Sequence, residues 1–322
     1  MRKTILGGRY VLGEQVGQGG MGVVHVAEDL TLVERVAVKL LHAEHAADGI
    51  EASNLLREAR IGRLIRHPNV VAVIDAGLTD GRPFLVMELI AGCRLREEAA
   101  RKRTSRWSVI DLVTQILSGL DAIHRAGFVH GDLKSDNVLC GDGPDRAGVA
   151  TIIDLGLARS HVNDAGPLDR RTVSGTPDYI APEVSMGGDK TVASDLYAVG
   201  VILYELLTGS TPFGGGRSIE ILLRHTSDAV VPPSVRCPEL KISIATERVV
   251  LQALAKRPDA RFPDARAFAA ALDASVAATR PDRAPRVPFS SGAPTIEWSS
   301  SDVVPVGRRR GKAFIGRSAG RR

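Results

Sequence analysis

His130-Gly131-Asp132-Leu133-Lys134-Ser135-Asp136-Asn137 is followed, seventeen residues beyond Asn137, by Asp154-Leu155-Gly156. An aspartate, an amide five residues on and a second aspartate form a set suited to phosphoryl transfer. A hydroxyl nucleophile needs a proton acceptor, and Asp132 is the candidate. The phosphates of a nucleotide need a divalent cation held by hard oxygens, and Asn137 and Asp154 can supply them. These three side chains narrow the search to ATP-dependent phosphotransferases.

Upstream, Gly17-Gln18-Gly19-Gly20-Met21-Gly22-Val23-Val24 fits G-x-G-x-x-G-x-V. Glycines let the backbone turn and approach phosphates without interference from a Cβ. Alone the pattern is weak, because it also marks dinucleotide-binding turns and plain hairpins. Here it lies between two extended runs, Tyr10-Val11-Leu12 and Val23 to Ala27, and not between a strand and a helix, which argues against a dinucleotide fold. Lys39 stands fifteen residues past Val24 in Val36-Ala37-Val38-Lys39-Leu40-Leu41, a further strand candidate. A lysine among strand apolars is often just an outward-facing residue; behind a glycine loop it reads as a phosphate contact. Residues 51–66 carry apolar side chains at helical spacing, and Glu58 within them is the candidate to hold Lys39, with Glu51 a rival. His67-Pro68-Asn69 ends that helix, with His67 a turn residue.

Taken together, these motifs resemble the eukaryotic-type (Hanks-type) serine/threonine protein kinases common in bacteria, over roughly residues 9–275. The resemblance implies an α+β, two-lobed fold. A small β-rich lobe with one main helix (9–90) would bind ATP. A larger, mainly helical lobe (91–278) would carry the catalytic loop, the activation segment and the peptide-docking surface. Asp132 would orient and deprotonate the substrate hydroxyl, and Lys134 would neutralise the γ-phosphate during transfer. Asn137 and Asp154 would hold Mg²⁺, with Mn²⁺ a possible substitute. Gly17, Gly19, Gly22, Val24, Ala37, Lys39, Met87, Glu88, Ile90 and Leu139 would surround ATP, with backbone groups of Glu88 and Ile90 on the adenine and Met87 gating the pocket behind. Thr176 resembles the threonine that hydrogen-bonds Asp132 and Lys134. The Asp-Leu-Lys pattern favours Ser/Thr over Tyr acceptors, and His130 would pack and bond backbone, without acting as acid or base.

A rival comes from small-molecule kinases of the aminoglycoside and choline type, which share the core and often read H-G-D-x-x-x-x-N with a later I-D. Gly131 and Ile153-Asp154 match that pattern. Three features oppose it. Gly175 to Glu183 resembles the segment that docks a peptide in protein kinases. Asp195-Leu196-Tyr197-Ala198-Val199-Gly200 resembles the buried helix whose aspartate braces the catalytic loop, and Arg261 is placed to pair with Glu183. A pseudokinase scaffold is disfavoured because each residue expected to touch ATP, metal or the transferred phosphate is present.

Three departures from the family remain, of which Leu155 in place of the phenylalanine in D-F-G is a mild, apolar one. Gly131 replaces the arginine that gathers an activation-segment phosphate, so activity is expected to depend little on phosphorylation between Asp154 and Glu183; Thr172 and Ser174 are the phosphosites favoured by position. Gly62, four residues after Glu58, replaces a large apolar residue. Either Ile61 or Ile65 fills the gap, the favoured expectation, or the helix is loosely held and open to regulation. Gly62→Leu raising basal activity would mark the second case.

Composition sets outer bounds. With 44% hydrophobic and 25% charged residues, the 322-residue chain reads as an ordinary globular protein. No leader pattern and no membrane span are evident, and Cys93, Cys140 and Cys237 lack metal spacing, so reduced thiols and a cytoplasmic location are expected. Residues 279–322 hold ten Arg/Lys against three acids, net +7, which leaves the rest of this +5 chain at −2. That Pro/Ser/Arg-rich tail has the composition of a disordered segment. It suits acidic partners, protein or lipid, through charge, with nucleic-acid contact expected only as non-specific attraction. Its serines are candidates for self-phosphorylation.

Overall fold

The computed structural model describes residues 4–19, 22–46, 49–101, 108–143, 146–155, 159–160 and 176–277. Thr172, Ser174 and the tail from residue 278 onward therefore lie outside the described residues, as do Gly20 and Met21 of the glycine loop.

The smaller lobe is built from β1 (Ile5–Leu6), β2 (Tyr10–Gln18), β3 (Gly22–Asp29), β4 (Glu34–Leu41), the short α1 (Ala43–Ala46), α2 (Gly49–Leu64), β5 (Val73–Thr79) and β6 (Arg82–Glu88). Its strands form one antiparallel sheet in the order β1-β2-β3-β4-β6-β5. The sheet takes in Ile5 and Leu6, ahead of residue 9. The period-2 alternation of β4 explains the lobe's construction. Val36, Val38 and Leu40 pack with Tyr10, Phe84 and Val86 on one face, while Ala37 and Lys39 turn to the other. Register then sets Val24 beside Lys39 and Ala37 beside Met87.

One strand expectation shifts. The apolar run Val70 to Ile74 suggests a strand, yet β5 begins only at Val73. Val70 and Val71 are drawn into the other lobe, where the Val71 N–H donates to the Ile152 carbonyl at 2.8 Å and the Ile152 N–H to the Asn69 carbonyl at 2.9 Å. Asn69 adds a side-chain bond to the Ala150 carbonyl at 2.8 Å, and His67 accepts from the Asn69 N–H, which makes His67 a structural residue.

The larger lobe opens with β7 (Gly92–Arg94) and α3 (Leu95–Arg101), a helix that the sequence periodicity does not single out. It continues through α4 (Val109–Arg125), β8 (Phe128–Val129), β9 (Val138–Gly141), β10 (Ala150–Ile152), β11 (Arg159–Ser160), α5 (Pro182–Ser185), α6 (Val192–Thr208), α7 (Ser218–Ser227), α8 (Pro233–Arg236), α9 (Ile244–Ala253) and α10 (Ala265–Ala277). Strands β10-β9-β7 form one small sheet and β11-β8 another. Helix α6 is apolar on nearly every side and is buried along almost its whole length, as a central helix must be. Thr191 and Ser194 cap its start reciprocally, and Gly209, at φ 79°, ends it in the left-handed conformation. The apolar stripe of α4, from Leu112 to Ile123, packs into the same core. No helix among the described residues is long and apolar enough to cross a membrane.

Candidate active site

The cleft between the lobes gathers most of the residues singled out above. Lys39 reaches from β4 to Glu58 of α2, donating to Oε2 at 2.9 Å, and to Asp154 Oδ1 at 3.3 Å. Burial would push the Lys39 ammonium down, but the facing carboxylates of Glu58 and Asp154 outweigh it and hold the lysine charged. Burial likewise drives the Glu58 carboxyl up, to about 7, against the pull of Lys39. Glu58 also accepts from the Leu155 N–H at 3.4 Å, which ties α2 to the segment following Asp154. Among the described residues the ion-pair partners of Lys39 are Glu58 and Asp154, and of the two glutamates it is Glu58 that meets it.

The loop carrying Asp132 is held from beneath by Asp195 in the first turn of α6. Its carboxylate, 2% exposed, accepts the backbone N–H groups of His130 and Gly131, each at 2.8 Å, and meets His124 Nε2 at 2.9 Å. Burial would raise the Asp195 carboxyl, but bonds from His124 and Gly131 keep it below its ordinary value. Gly131 itself lies at φ 75°, a conformation that an L side chain adopts only at a cost. His130 is buried, its Nδ1 accepting the Asp132 N–H at 3.2 Å, and burial keeps it neutral.

Around Asp132 the bonds are dense. Lys134 Nζ lies 2.9 Å from Asp132 Oδ2 and 2.8 Å from Thr176 Oγ1, while the Thr176 N–H donates to Asp132 Oδ1 at 3.3 Å. Asn137 Nδ2 donates to the Asp132 carbonyl at 3.0 Å, which turns the amide oxygen the other way. Farther along the segment from Thr176, Glu183 and Arg261 pair through two bonds of 2.7 Å. That arginine is fully buried and also donates to the carbonyls of Ala193, Ala255 and Lys256, so a fork-shaped cation is what the site requires.

An apolar patch lines the back of the cleft. Ala37, Val71, Met87 and Ile90 cluster there, with Val24, Leu139 and Ile153 packed against them. Five of these were expected around ATP from sequence; Val71 and Ile153 were not, because their runs read simply as strand. The Glu88 N–H donates to the Ala72 carbonyl at 3.0 Å, so of its two backbone groups only the carbonyl remains to meet a base. At Gly22 a Cβ would stand 2.4 Å from the Leu40 carbonyl oxygen, so the loop's third glycine is required by close approach to β4.

At Gly62 the nearest group beyond its chain neighbours is Val73, and not Ile65. A Cβ on Gly62 would lie 2.3 Å from Cγ2 of Val73 in β5 and 3.9 Å from Leu155 Cδ1. Val73 already occupies the place where the family's larger residue would stand.

Sequence reasoning also missed a polar knot beside the catalytic loop. The Tyr179 hydroxyl bonds Glu205 Oε2 and Ser135 Oγ, each at 2.7 Å, and Arg96 Nε donates to Asp136 Oδ2 at 2.8 Å. The available signal was the alternating pair Arg94 and Arg96 just after Ile90.

A lysine-bearing sheet set against a helical lobe, with an aspartate-lysine-threonine cluster in the cleft between them, defines a two-lobed architecture of a recognisable class. Residues 10–268 match the family described as "Protein kinase domain", and the chain belongs to that family, as a Hanks-type member. Its relatives carry consistent names. The chain is 36% identical over 291 residues to serine/threonine-protein kinase pkn3 of Myxococcus xanthus, covering 88% of this chain and 53% of that one. It is 36% identical over 270 residues to serine/threonine-protein kinase Pkn1 of the same organism, covering 84% and 38%. With serine/threonine-protein kinase PknB of Mycobacterium tuberculosis it shares 34% identity over 316 residues, covering 93% and 49%. The chain thus spans about half, or less, of the length of these curated relatives.

Proposed function

We propose that this chain transfers the γ-phosphate of ATP to serine or threonine hydroxyls of proteins. The observation that carries the reading is Lys134 Nζ bridging Asp132 and Thr176. It joins the proton acceptor to the segment where a peptide would lie, an arrangement for which a small-molecule kinase has no need. Asp132 accepts the acceptor hydroxyl's hydrogen bond and aims its oxygen for attack. Lys134 places positive charge where negative charge builds on the transferred group, and Lys39, fixed by Glu58, steadies the nucleotide's other phosphates. Val24, Ala37, Met87, Ile90 and Leu139 form an apolar slot that fits a purine, with the Glu88 carbonyl at its edge.

The donor set also fits a hard divalent cation. The Asp154 carboxylate, 40% exposed, and the outward amide oxygen of Asn137 would hold Mg²⁺ or Mn²⁺. Such an ion, when bound, supplies charge neutralisation for the phosphate oxygens. On this reading residues 9–90 serve ATP, residues 91–278 serve catalysis and docking, and the basic residues 279–322 are open to acidic partners.

Activity is largely independent of activation-segment phosphorylation, because Gly131 offers no guanidinium to gather a phosphate. The test of function is transfer of labelled γ-phosphate to a generic basic protein, compared with Asp132→Asn and with an aminoglycoside or choline as acceptor. Transfer to protein that is lost in Asp132→Asn is the expected result; transfer to the small molecules alone would refute it. Thr172→Ala is expected to leave transfer to an added substrate intact, and its abolition with ATP binding retained would refute the independence.

A further inference from the structure

Arg94 stands where three parts of the cleft mouth meet. It is the last residue of β7 and pairs in register with Leu139 of β9, on the floor of the expected nucleotide slot. Its Nη1 donates to the Asp136 backbone carbonyl at 2.6 Å. Its Nη2 lies 3.8 Å from the place where a Cβ on Gly17 would stand. One half-buried guanidinium therefore spans the glycine loop and the catalytic loop, and no carboxylate among the described residues forms an ion pair with it.

The acids nearby are already engaged. Arg96 takes the Asp136 carboxylate at 2.8 Å and approaches the Tyr179 hydroxyl at 3.5 Å, and that hydroxyl bonds Glu205. Asp136 and Glu205, two acids here that could receive a basic substrate, are bonded by the chain's own side chains. Arg94, by contrast, bonds a backbone carbonyl and forms no ion pair among the described residues. Asp136 lies only four residues from Asp132 in sequence and next to Asn137, so a group meeting Arg94 sits close to the reacting hydroxyl.

We propose that Arg94 selects protein substrates bearing an acidic residue within a few positions of the acceptor serine or threonine, with Arg96 keeping Asp136 from competing for it. The inference rests on the protein-kinase reading above and names the substrate class of that same site. A guanidinium anchored at one nitrogen and partly shielded from water is well suited to a carboxylate, since charge-assisted bonds are strong and the fork is pre-organised.

The test uses peptides with a single threonine and an otherwise neutral sequence. One aspartate, or one lysine, is walked through the positions on either side of the acceptor. The whole chain, Arg94→Gln and Arg94→Glu are compared for kcat/KM at saturating Mg-ATP. Aspartate at one or two positions should raise kcat/KM about tenfold, chiefly through KM, the size of a partly shielded charge-assisted contact. Arg94→Gln should erase that preference, and Arg94→Glu should move it to lysine at the same positions. The preference should also weaken as salt is added. An aspartate preference that survives Arg94→Gln overturns the proposal. So does a raised KM for ATP in Arg94→Gln with peptide selectivity unchanged, which would assign the arginine to the nucleotide. Transfer to all peptides alike defeats this inference alone, whereas no transfer to any peptide defeats the kinase reading and this inference with it.

Discussion

Gly62→Ala puts the packing of α2 to a direct test. In a helix interior that exchange ordinarily gains about 1 kcal/mol, because alanine gives up less backbone freedom. Here the new methyl would start 2.3 Å from Val73 Cγ2 and 3.1 Å from Val73 Cβ, well inside contact distance. Overpacking of this kind typically costs about 1–3 kcal/mol, and a β-branched side chain has few rotamers into which to retreat. The clash outweighs the helix gain, and a net loss of about 1 kcal/mol is expected. The functional loss should be larger than that suggests. Helix α2 carries Glu58, whose bond to Lys39 is 2.9 Å, so an outward shift of the helix stretches that contact directly. Denaturant unfolding of the parent, Gly62→Ala, Val73→Ala and the double variant gives the coupling, expected at about 1–2 kcal/mol in favour of the double variant. Phosphoryl transfer by the same four proteins should fall in Gly62→Ala and recover in the double variant. A more stable Gly62→Ala, or no coupling to Val73, would sink the reasoning. By the same clash, Gly62→Leu should lower basal activity, the reverse of what a loosely held helix would give.

Other perturbations are read from single bonds. Asp195→Asn keeps the shape but leaves a buried backbone N–H of His130 or Gly131 without its acceptor, at a cost of about 1–3 kcal/mol in unfolding free energy. Gly131→Ala should cost about 1–2 kcal/mol, the penalty of an L residue at positive φ, while circular dichroism stays unchanged and the two Asp195 bonds, being to backbone, persist. His225 is buried and bonded to the Tyr197 hydroxyl at 2.7 Å, and burial, helped by Lys256, lowers its pKa from 6.5 to about 4. The folded protein resists charging it, so its contribution to stability is present above pH 6.5 and is lost as pH falls towards 4. Thermal melts across that window should show the loss, and His225→Phe, though less stable overall, should flatten it.

What the sequence discloses, and what it withholds, follows from how far each signal reaches along the chain. The catalytic loop is legible because its chemistry is local. Asp132, Lys134 and Asn137 fall within six residues, so the motif that carries the family resemblance can be read in one short stretch. The antiparallel small lobe is legible for a similar reason, since alternation in Val36 to Leu41 sorts one face from the other before any partner strand is known. Legibility fails where an apolar run serves two masters. Val70 to Ile74 has the composition of a strand, yet its first residues bond Ile152, more than eighty positions away, and no local pattern announces that. Arg94 and Arg96 were overlooked on the same account, because an arginine's meaning depends on which acid it meets, and Asp136 is forty residues from Arg96.

The two glycines show the point most sharply, because in a sequence a glycine where a family has a large side chain reads only as something missing. At Gly131 the missing side chain frees the backbone to take φ 75° at no steric cost while the N–H groups of His130 and Gly131 stay on Asp195, so the loop carrying Asp132 is held through its backbone. At Gly62 the missing side chain is the other half of Val73, a neighbour eleven residues away that has moved into the space. Neither compensation is visible one residue at a time. Each glycine is intelligible only with the group that answers it, which is why the decisive variants pair or contrast them: Gly62 with Val73, and Gly131 with the carboxylate of Asp195.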